Sequence, residues 1–437
     1  MQSQPIIRSY ILGLIFAFTV LPFVANAAEP YASGTLDDIS WQLRLNRYQC
    51  RHAGQAATWC DASDHRNAIA QSGIEEELLA WINDPLTRYV RMSYMTFTSD
   101  RLAQALCEAS KRSVKVDIYL QGQNIESLDT AVGVYRELLR CSENSQTFHI
   151  WKRGTENWLN HAKIFLVASD DSQNPQQQRI RFTSSSANLS QSGLGLHYDN
   201  WLMFDTSSDN YLARENLCFF QGLEAMVTPE GQQNKGLFLN TLETCHKTIK
   251  LPADAQIDFI ATPTPSNREK PLTILLGLIE GAKNRIRIAA HKVTMTGSKK
   301  FPLVETLIAQ MKKGVKVDIV FDDDTILKHL RAPGSVELNV SKEELRAYEE
   351  LSKHGANITF FDTNESAQIF MHNKYMIIDD SIVFTGAGNF SSASLLGVNT
   401  EQFYVLTVPE LVTAYGKSWE ELREWSFDPA YYSAQLE

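Results

Sequence analysis

Twice along its length the chain writes the same short unit. Asn160-His161-Ala162-Lys163 and Met371-His372-Asn373-Lys374 each lead through an apolar run to a small-residue turn ending in asparagine, Ser185-Ser186-Ala187-Asn188 and Gly386-Ala387-Gly388-Asn389. In an extended strand alternate side chains share a face, so a histidine and a lysine two residues apart project together, and the asparagine returns from the next strand. Each copy thus supplies one imidazole, one ammonium and one carboxamide. Two such sets facing each other make a cationic pocket suited to a phosphodiester. A chain with half a site in each copy is constrained to fold as two similar lobes with the site at their interface.

The duplication extends well beyond these segments. Leu106 to Ser113 followed by Val114 to Ile118 aligns with Leu307 to Gly314 followed by Val315 to Ile319, an offset of 201 residues, and the shared order is helix, tight turn, buried strand. Upstream, Glu77 to Ile82 and Tyr89 to Met95 match Leu272 to Ile279 and Ile286 to Ala290; downstream, Phe148 to Ile150 matches Ile358 to Phe360. Strands alternating with helices in both halves predict an α/β protein in which each lobe is a mostly parallel sheet covered by helices on both faces. Pro252, Pro263, Pro265 and Pro271 break the chain between the copies, which places the first lobe at 28–250 and the second at 251–437. Residues 28 to about 70 read as an N-terminal extension of the first lobe.

The opening stretch has a basic residue at Arg8, an apolar run from Tyr10 to Val24 and then Ala25-Asn26-Ala27. This is the pattern of a cleaved signal peptide, residues 1–27. The run is shorter than the roughly 20 residues of a spanning helix, and Pro22 interrupts it. The expectation is a periplasmic or secreted protein, cut after Ala27, with no transmembrane segment left after processing. In an oxidising compartment six cysteines read as disulfides. Their spacing leaves the connectivity open; pairing sequence neighbours, Cys50 with Cys60, Cys107 with Cys141 and Cys218 with Cys245, is preferred because each pair staples a local loop or helix pair. A formal charge of −10 argues against nonspecific binding to DNA, which draws its affinity from lysine and arginine on phosphates.

The paired segments resemble the HxK(x)4D signature and GSxN-like turn of the phospholipase D superfamily, whose members carry two such motifs. The second copy matches at His372, Lys374 and Asp379, then at Gly386 and Asn389, with Ala387 in place of the usual serine. The first keeps His161, Lys163, Ser186 and Asn188 but has Ala168 where the aspartate is expected. From His161 to Asn188 is 27 residues against 17 from His372 to Asn389, so the first copy carries an enlarged hairpin loop. The absent aspartate reads as a turn cap made dispensable by that loop. The resemblance implies a covalent phosphohistidine formed by one histidine while the other protonates the leaving oxygen, with no metal or cofactor. By that analogy His161 is the nucleophile and His372 the general acid, Lys163 and Lys374 neutralise the nonbridging oxygens, and Asn188 and Asn389 donate hydrogen bonds. It also implies an acid some twelve residues after the asparagine that orients a histidine. Glu401 fits; the matching first-copy position is Asn200, beside Asp199, so the first copy has either an amide orienter there or a displaced Asp199.

These residues favour an exported phosphodiesterase acting on phospholipids by hydrolysis or transphosphatidylation. The alternative is an exported, metal-independent endonuclease with the same pocket, for which Lys152, Arg153, Arg179 and Arg181 would have to line a basic groove. A binding protein without catalysis is the third reading, disfavoured because both histidines, both lysines and both asparagines are present. Trp158 reads equally as core or as a cleft wall, and His291 as support for the site or part of the core.

Overall fold

In a computed structural model, the residues described are 28–48, 62–121, 129–155, 158–170, 178–228, 232–323, 327–329, 336–338, 342–361 and 370–428. The expected leader, 1–27, and the expected pairing of Cys50 with Cys60 lie outside them. The first lobe holds β1 (Ala32–Leu36), β2 (Ile39–Leu45), β3 (Thr87–Tyr94), β4 (Lys115–Gln121), β5 (Phe148–Thr155), β6 (Trp158–Leu159), β7 (Lys163–Asp170), β8 (Gln178–Ser185) and β9 (Asn200–Ser207). They form one sheet in the order β1-β2-β9-β8-β7-β3-β4-β5-β6. The second lobe holds β10 (Ile257–Thr262), β11 (Arg285–Ala290), β12 (Lys316–Asp322), a detached hairpin of β13 (Leu327–His329) and β14 (Val336–Leu338), then β15 (Asn357–Phe361), β16 (Lys374–Ile378), β17 (Ile382–Gly386), β18 (Glu401–Leu406) and β19 (Ser426–Phe427). Its main sheet runs β10-β18-β17-β16-β11-β12-β15-β19.

The two sheets correspond strand for strand through their middles, and both are mixed rather than mostly parallel. Parallel pairing is confined to β3-β4-β5 and β11-β12-β15, where helices cross between strands. The other neighbours are antiparallel, some joined by hairpins such as β7-β8 and β16-β17 and others brought together from distant parts of the chain, as are β3-β7 and β2-β9. The supposed N-terminal extension is in part the repeat's own first strand. β2 lies antiparallel beside β9, as β10 lies beside β18.

Alternate residues of one strand enter different cores. On β7, Ile164 and Leu166 face an inner core shared by both sheets, while Phe165 and Val167 face an outer one. On β16, Tyr375 and Ile377 face the shared core and Met376 and Ile378 the second lobe's outer core. Helices Ile74–Asn83 and Asp100–Lys111 bury apolar faces over the first outer core, and Pro271–Gly281 and Leu303–Lys312 over the second. Tyr211–Ala225 and Pro409–Glu424 supply the shared core between the sheets. Burying apolar surface at ~25 cal/mol per Å² makes that core the main bond between lobes.

Disulfides join Cys107 to Cys141 and Cys218 to Cys245, as the sequence pairing expected. Each links two helices of the first lobe; the second lobe has no cysteine. Among the described residues no helix is long and apolar enough to cross a membrane.

Candidate active site

The site forms where two chain segments cross between lobes. Just before β7, His161 donates its backbone N–H to the Thr400 carbonyl at 2.9 Å, and Thr400 donates to Leu159 at 2.8 Å. Just before β16, His372 donates to Tyr198 at 2.9 Å and Tyr198 to Phe370 at 2.8 Å. Side chains repeat the exchange. Gln402 accepts from the Lys163 N–H and donates to its carbonyl at 3.0 and 2.9 Å. Asn200 donates to the Asn373 side chain at 2.9 Å. The segment after each small-residue turn therefore docks on the opposite lobe's histidine.

This docking assigns the carboxylates reciprocally. His161 Nδ1 lies 2.7 Å from Glu401 Oε2 of the second lobe, and His372 Nδ1 lies 3.0 Å from Asp199 Oδ1 of the first. An acid on Nδ1 fixes the tautomer and leaves Nε2 of each ring for a substrate, as in other acid-oriented imidazoles. The sequence offers two counterparts of Glu401, the amide of Asn200 or a displaced Asp199, and the structure selects Asp199. Ser185 pairs with Trp201 while Gly386 pairs with Phe403, so the second connection is one residue longer and the equivalences shift by one. Asn200 instead corresponds to Gln402 and serves the lobe junction.

The hydroxyl of Ser186 donates to Asp199 Oδ1 at 2.6 Å. Ala387 in the other copy has no hydroxyl, and there Ser394 donates to Glu401 Oε1 at 2.6 Å, joined by Asn399 at 3.3 Å. One lost donor is replaced from a different place in the chain.

Both lysines are buried, Lys163 at 0% and Lys374 at 1% exposure. The Lys163 ammonium sits 3.2 Å from His161 Nε2 and donates to the His161 carbonyl at 2.9 Å; that of Lys374 donates to the His372 carbonyl. Burial lowers the Lys163 ammonium to about 8 against the pull of Glu401 and Asp199. Burial takes Lys374 well below its ordinary value, with Lys163 adding to that effect. Two desolvated ammonium groups form a site poised for an anion, whose binding restores their charge. Burial also lowers His161, with Lys163 adding and Glu401 opposing, and lowers His372 further, with Lys374 and His197 adding. Each histidine side chain keeps 12% exposure, enough for contact with a substrate. Asn188 and Asn389 sit half-buried, each with its carboxamide oxygen free of hydrogen bonds among the described residues. His161, Lys163, Asn188, His372, Lys374 and Asn389 thus stand at equivalent places at the ends of β7, β8, β16 and β17.

Asp379 is outside this pocket. It takes a positive φ of 49° in the turn between β16 and β17 and accepts from the backbone N–H groups of Lys283, Asn284 and Arg285 at 2.7, 2.7 and 3.0 Å. Ala168 lies inside β7 opposite Tyr89 instead, because the longer first hairpin carries the strand on to Asp170. The motif aspartate is a turn cap.

Two imidazoles escape the motif reading. The His291 ring centroid lies 5.0 Å from that of His372, and His197 lies 5.7 Å away. His291 follows β11 where Met95 follows β3, and His197 precedes Tyr198 as Asn399 precedes Thr400. The only sequence signal for His197 is its place two residues before Asp199. His197, Asp199 and His372 bring polar atoms within 4.8 Å of one another, but the neighbouring ammonium groups make that space one for an anion. Trp158 is 9% exposed and donates to Thr400 Oγ1 at 3.0 Å, so it belongs to the lobe junction.

A family model described as cardiolipin synthase, PLD-like domain, matches residues 81–217 and 275–423. The chain belongs to the phospholipase D superfamily. Its fold is similar to that of phosphatidylserine synthase from Haemophilus influenzae, with 11% identity, a TM-score of 0.59 and coverage of 92% of this chain and 89% of that one. Polyphosphate kinase from Porphyromonas gingivalis matches with a TM-score of 0.50 at 12% identity, over 80% of this chain and 45% of that one. Nuc from Salmonella typhimurium, a phospholipase D family member, is 22% identical over 39% of this chain and 96% of its own, with a TM-score of 0.31. No curated protein sequence matches the chain.

Proposed function

We propose that the chain is an exported phosphodiesterase that cleaves the headgroup side of phospholipids, or transfers the phosphatidyl group to another alcohol, through a phosphohistidine. The observation that carries this is the reciprocal arrangement of two acid-oriented imidazoles around two buried lysines. One imidazole can attack phosphorus while the other hands a proton to the departing oxygen, and the lysines offset charge on the nonbridging oxygens. The chemistry needs no metal or cofactor. The matched family model and the similarity to a phosphatidylserine synthase support a phospholipid substrate.

The endonuclease reading loses three of the four residues it was built on. Arg153 is 4% exposed and donates to the Leu223 carbonyl, Arg179 pairs with Asp205 and Arg181 with Asp84. These three cations are committed within the first lobe and do not track a polyanion across the cleft. Export rests on the leader pattern and on the two disulfides, which persist in oxidising compartments.

The test is to incubate the purified protein, with chelator, against a panel of phospholipids and plasmid DNA. Headgroup release without nicking is expected; nicking alone would replace this reading with the nuclease. N-terminal sequencing of protein recovered from outside the cytoplasm should begin at Ala28.

A further inference from the structure

We propose that His291 reads the headgroup: its Nε2 accepts a hydrogen bond from an O–H or N–H of the alcohol substituent lying on the His372 side of the cleft. This rests on the phosphodiesterase reading and names what that site selects.

The segment after β11 is tied into the half-site by its backbone. His291 donates its N–H to the Asn373 carbonyl at 3.0 Å, Phe390 donates to Lys292 at 3.1 Å and Thr294 to Phe390 at 3.1 Å. The first lobe anchors the segment of Met95 in the same way. Thr98 donates to Leu189 at 2.9 Å, and Phe97 is bridged to Leu189 as Val293 is to Phe390. His291 therefore occupies on one side the place that Met95 occupies on the other. A second exchange accompanies the first. At the end of β12 the wholly buried Asp322 accepts the Met371 N–H at 2.6 Å, where at the end of β4 Gln121 accepts the Asn160 N–H at 2.7 Å. Where the first lobe has a thioether and an amide, the second has an imidazole and a carboxylate.

These two groups define what the ring presents. Asp322 Oδ1 lies 3.9 Å from His291 Nδ1. That is too long for a hydrogen bond, yet the carboxylate favours the ring proton on Nδ1 and leaves a lone pair on Nε2. Nδ1 is sealed from solvent without a hydrogen-bond partner, whereas Nε2, equally without one among the described residues, is not sealed. Burial holds this ring well below the ordinary imidazole value, with His372, Lys374 and Lys292 adding, so it is neutral. Its centroid lies 5.0 Å from that of His372 and 5.3 Å from Phe370, within reach of a substituent on phosphorus held at His372. The motif lysines are donors for phosphate oxygens. His291 adds an acceptor, whose complement is a donor that a phosphodiester group lacks and a headgroup can carry. A site built to accept from such a group rejects an analogue without it, because the acceptor is left unpaired.

Headgroup release in detergent micelles of equal lipid content tests this. Phosphatidylglycerol offers hydroxyls and phosphatidylethanolamine an ammonium, while phosphatidylcholine offers neither. Wild-type kcat/KM should favour at least one donor-bearing headgroup over choline by about tenfold or more, and the lipid that leads tells hydroxyl from ammonium. His291→Met, which copies the residue of the other lobe, should bring that ratio to within about threefold while choline release stays near wild type. His291→Gln, which keeps an acceptor, should retain part of the ratio. A wild type that favours choline or does not discriminate, a ratio that survives His291→Met, or an equal loss on all three lipids overturns the assignment. Release from none of the three overturns instead the phosphodiesterase reading beneath it. The wild-type ratio needs no variant to fold.

Discussion

The two sides of the cleft differ most where they do not touch phosphorus. Each presents one imidazole, one ammonium and one carboxamide from the same strand ends, yet around His161 stand Glu401, Met95 and Asn399, and around His372 stand Asp199, His291 and His197. The difference teaches that a duplicated half-site keeps its reacting groups in register while the neighbours diverge. Such divergence gives two chemically identical side chains different work, since pKa follows burial and nearby charge.

That comparison is broken most severely by removing either imidazole. His161→Ala and His372→Ala should each lower kcat on an ordinary alkyl phosphodiester by at least about 10⁴-fold, measured by headgroup release. If one variant stays within tenfold of wild type, the two sides are not both catalytic. Removing the orienting acids sharpens it. Glu401→Gln and Asp199→Asn should each cost roughly 10²- to 10⁴-fold in kcat with little change in KM, as expected for a lost tautomer and orientation. The variant impaired more on alkyl than on nitrophenyl substrates marks the histidine that donates the proton.

The lobes also differ in covalent support. Replacing Cys107 and Cys141 by alanine opens a 34-residue link and should cost about 2–4 kcal/mol in denaturant unfolding, while the cysteine-free second lobe is indifferent to reductant. Asp379→Ala, which strands three backbone N–H groups, should cost about 1–3 kcal/mol and leave kcat unchanged. Its loss of activity at full stability would return the aspartate to the pocket. The smallest effect is in pH. One ring must be neutral to attack and the other protonated to donate, and burial lowers both. The maximum of kcat/KM should therefore fall on the acid side of 6.5, the ordinary imidazole value. A maximum well above 7 would contradict the burial of both rings.

The duplication made much of this legible. His161, Lys163, His372 and Lys374 are set two apart at strand starts, a pattern that follows from strand geometry alone. The disulfides Cys107–Cys141 and Cys218–Cys245 followed from proximity in sequence. The sheets are mixed and not mostly parallel because alternation of helix and strand describes only β3 to β5 and β11 to β15, while β7 to β9 and β16 to β18 are antiparallel neighbours with no long helix between them. The choice between Asn200 and Asp199 stays open in the sequence because of one residue of loop length, which counting cannot detect and strand register can. His291 and His197 approach His372 from separate elements, and such convergence is a property of tertiary packing that no local spacing encodes.

The crossed carboxylates have a consequence for how activity is switched on. Each half produced alone would hold a histidine with no acid beside it, so hydrolysis belongs to the joined pair rather than to either piece. Anything that shifts one half against the other parts each histidine from its acid, so turnover becomes a sensitive gauge of whether the two are seated on each other.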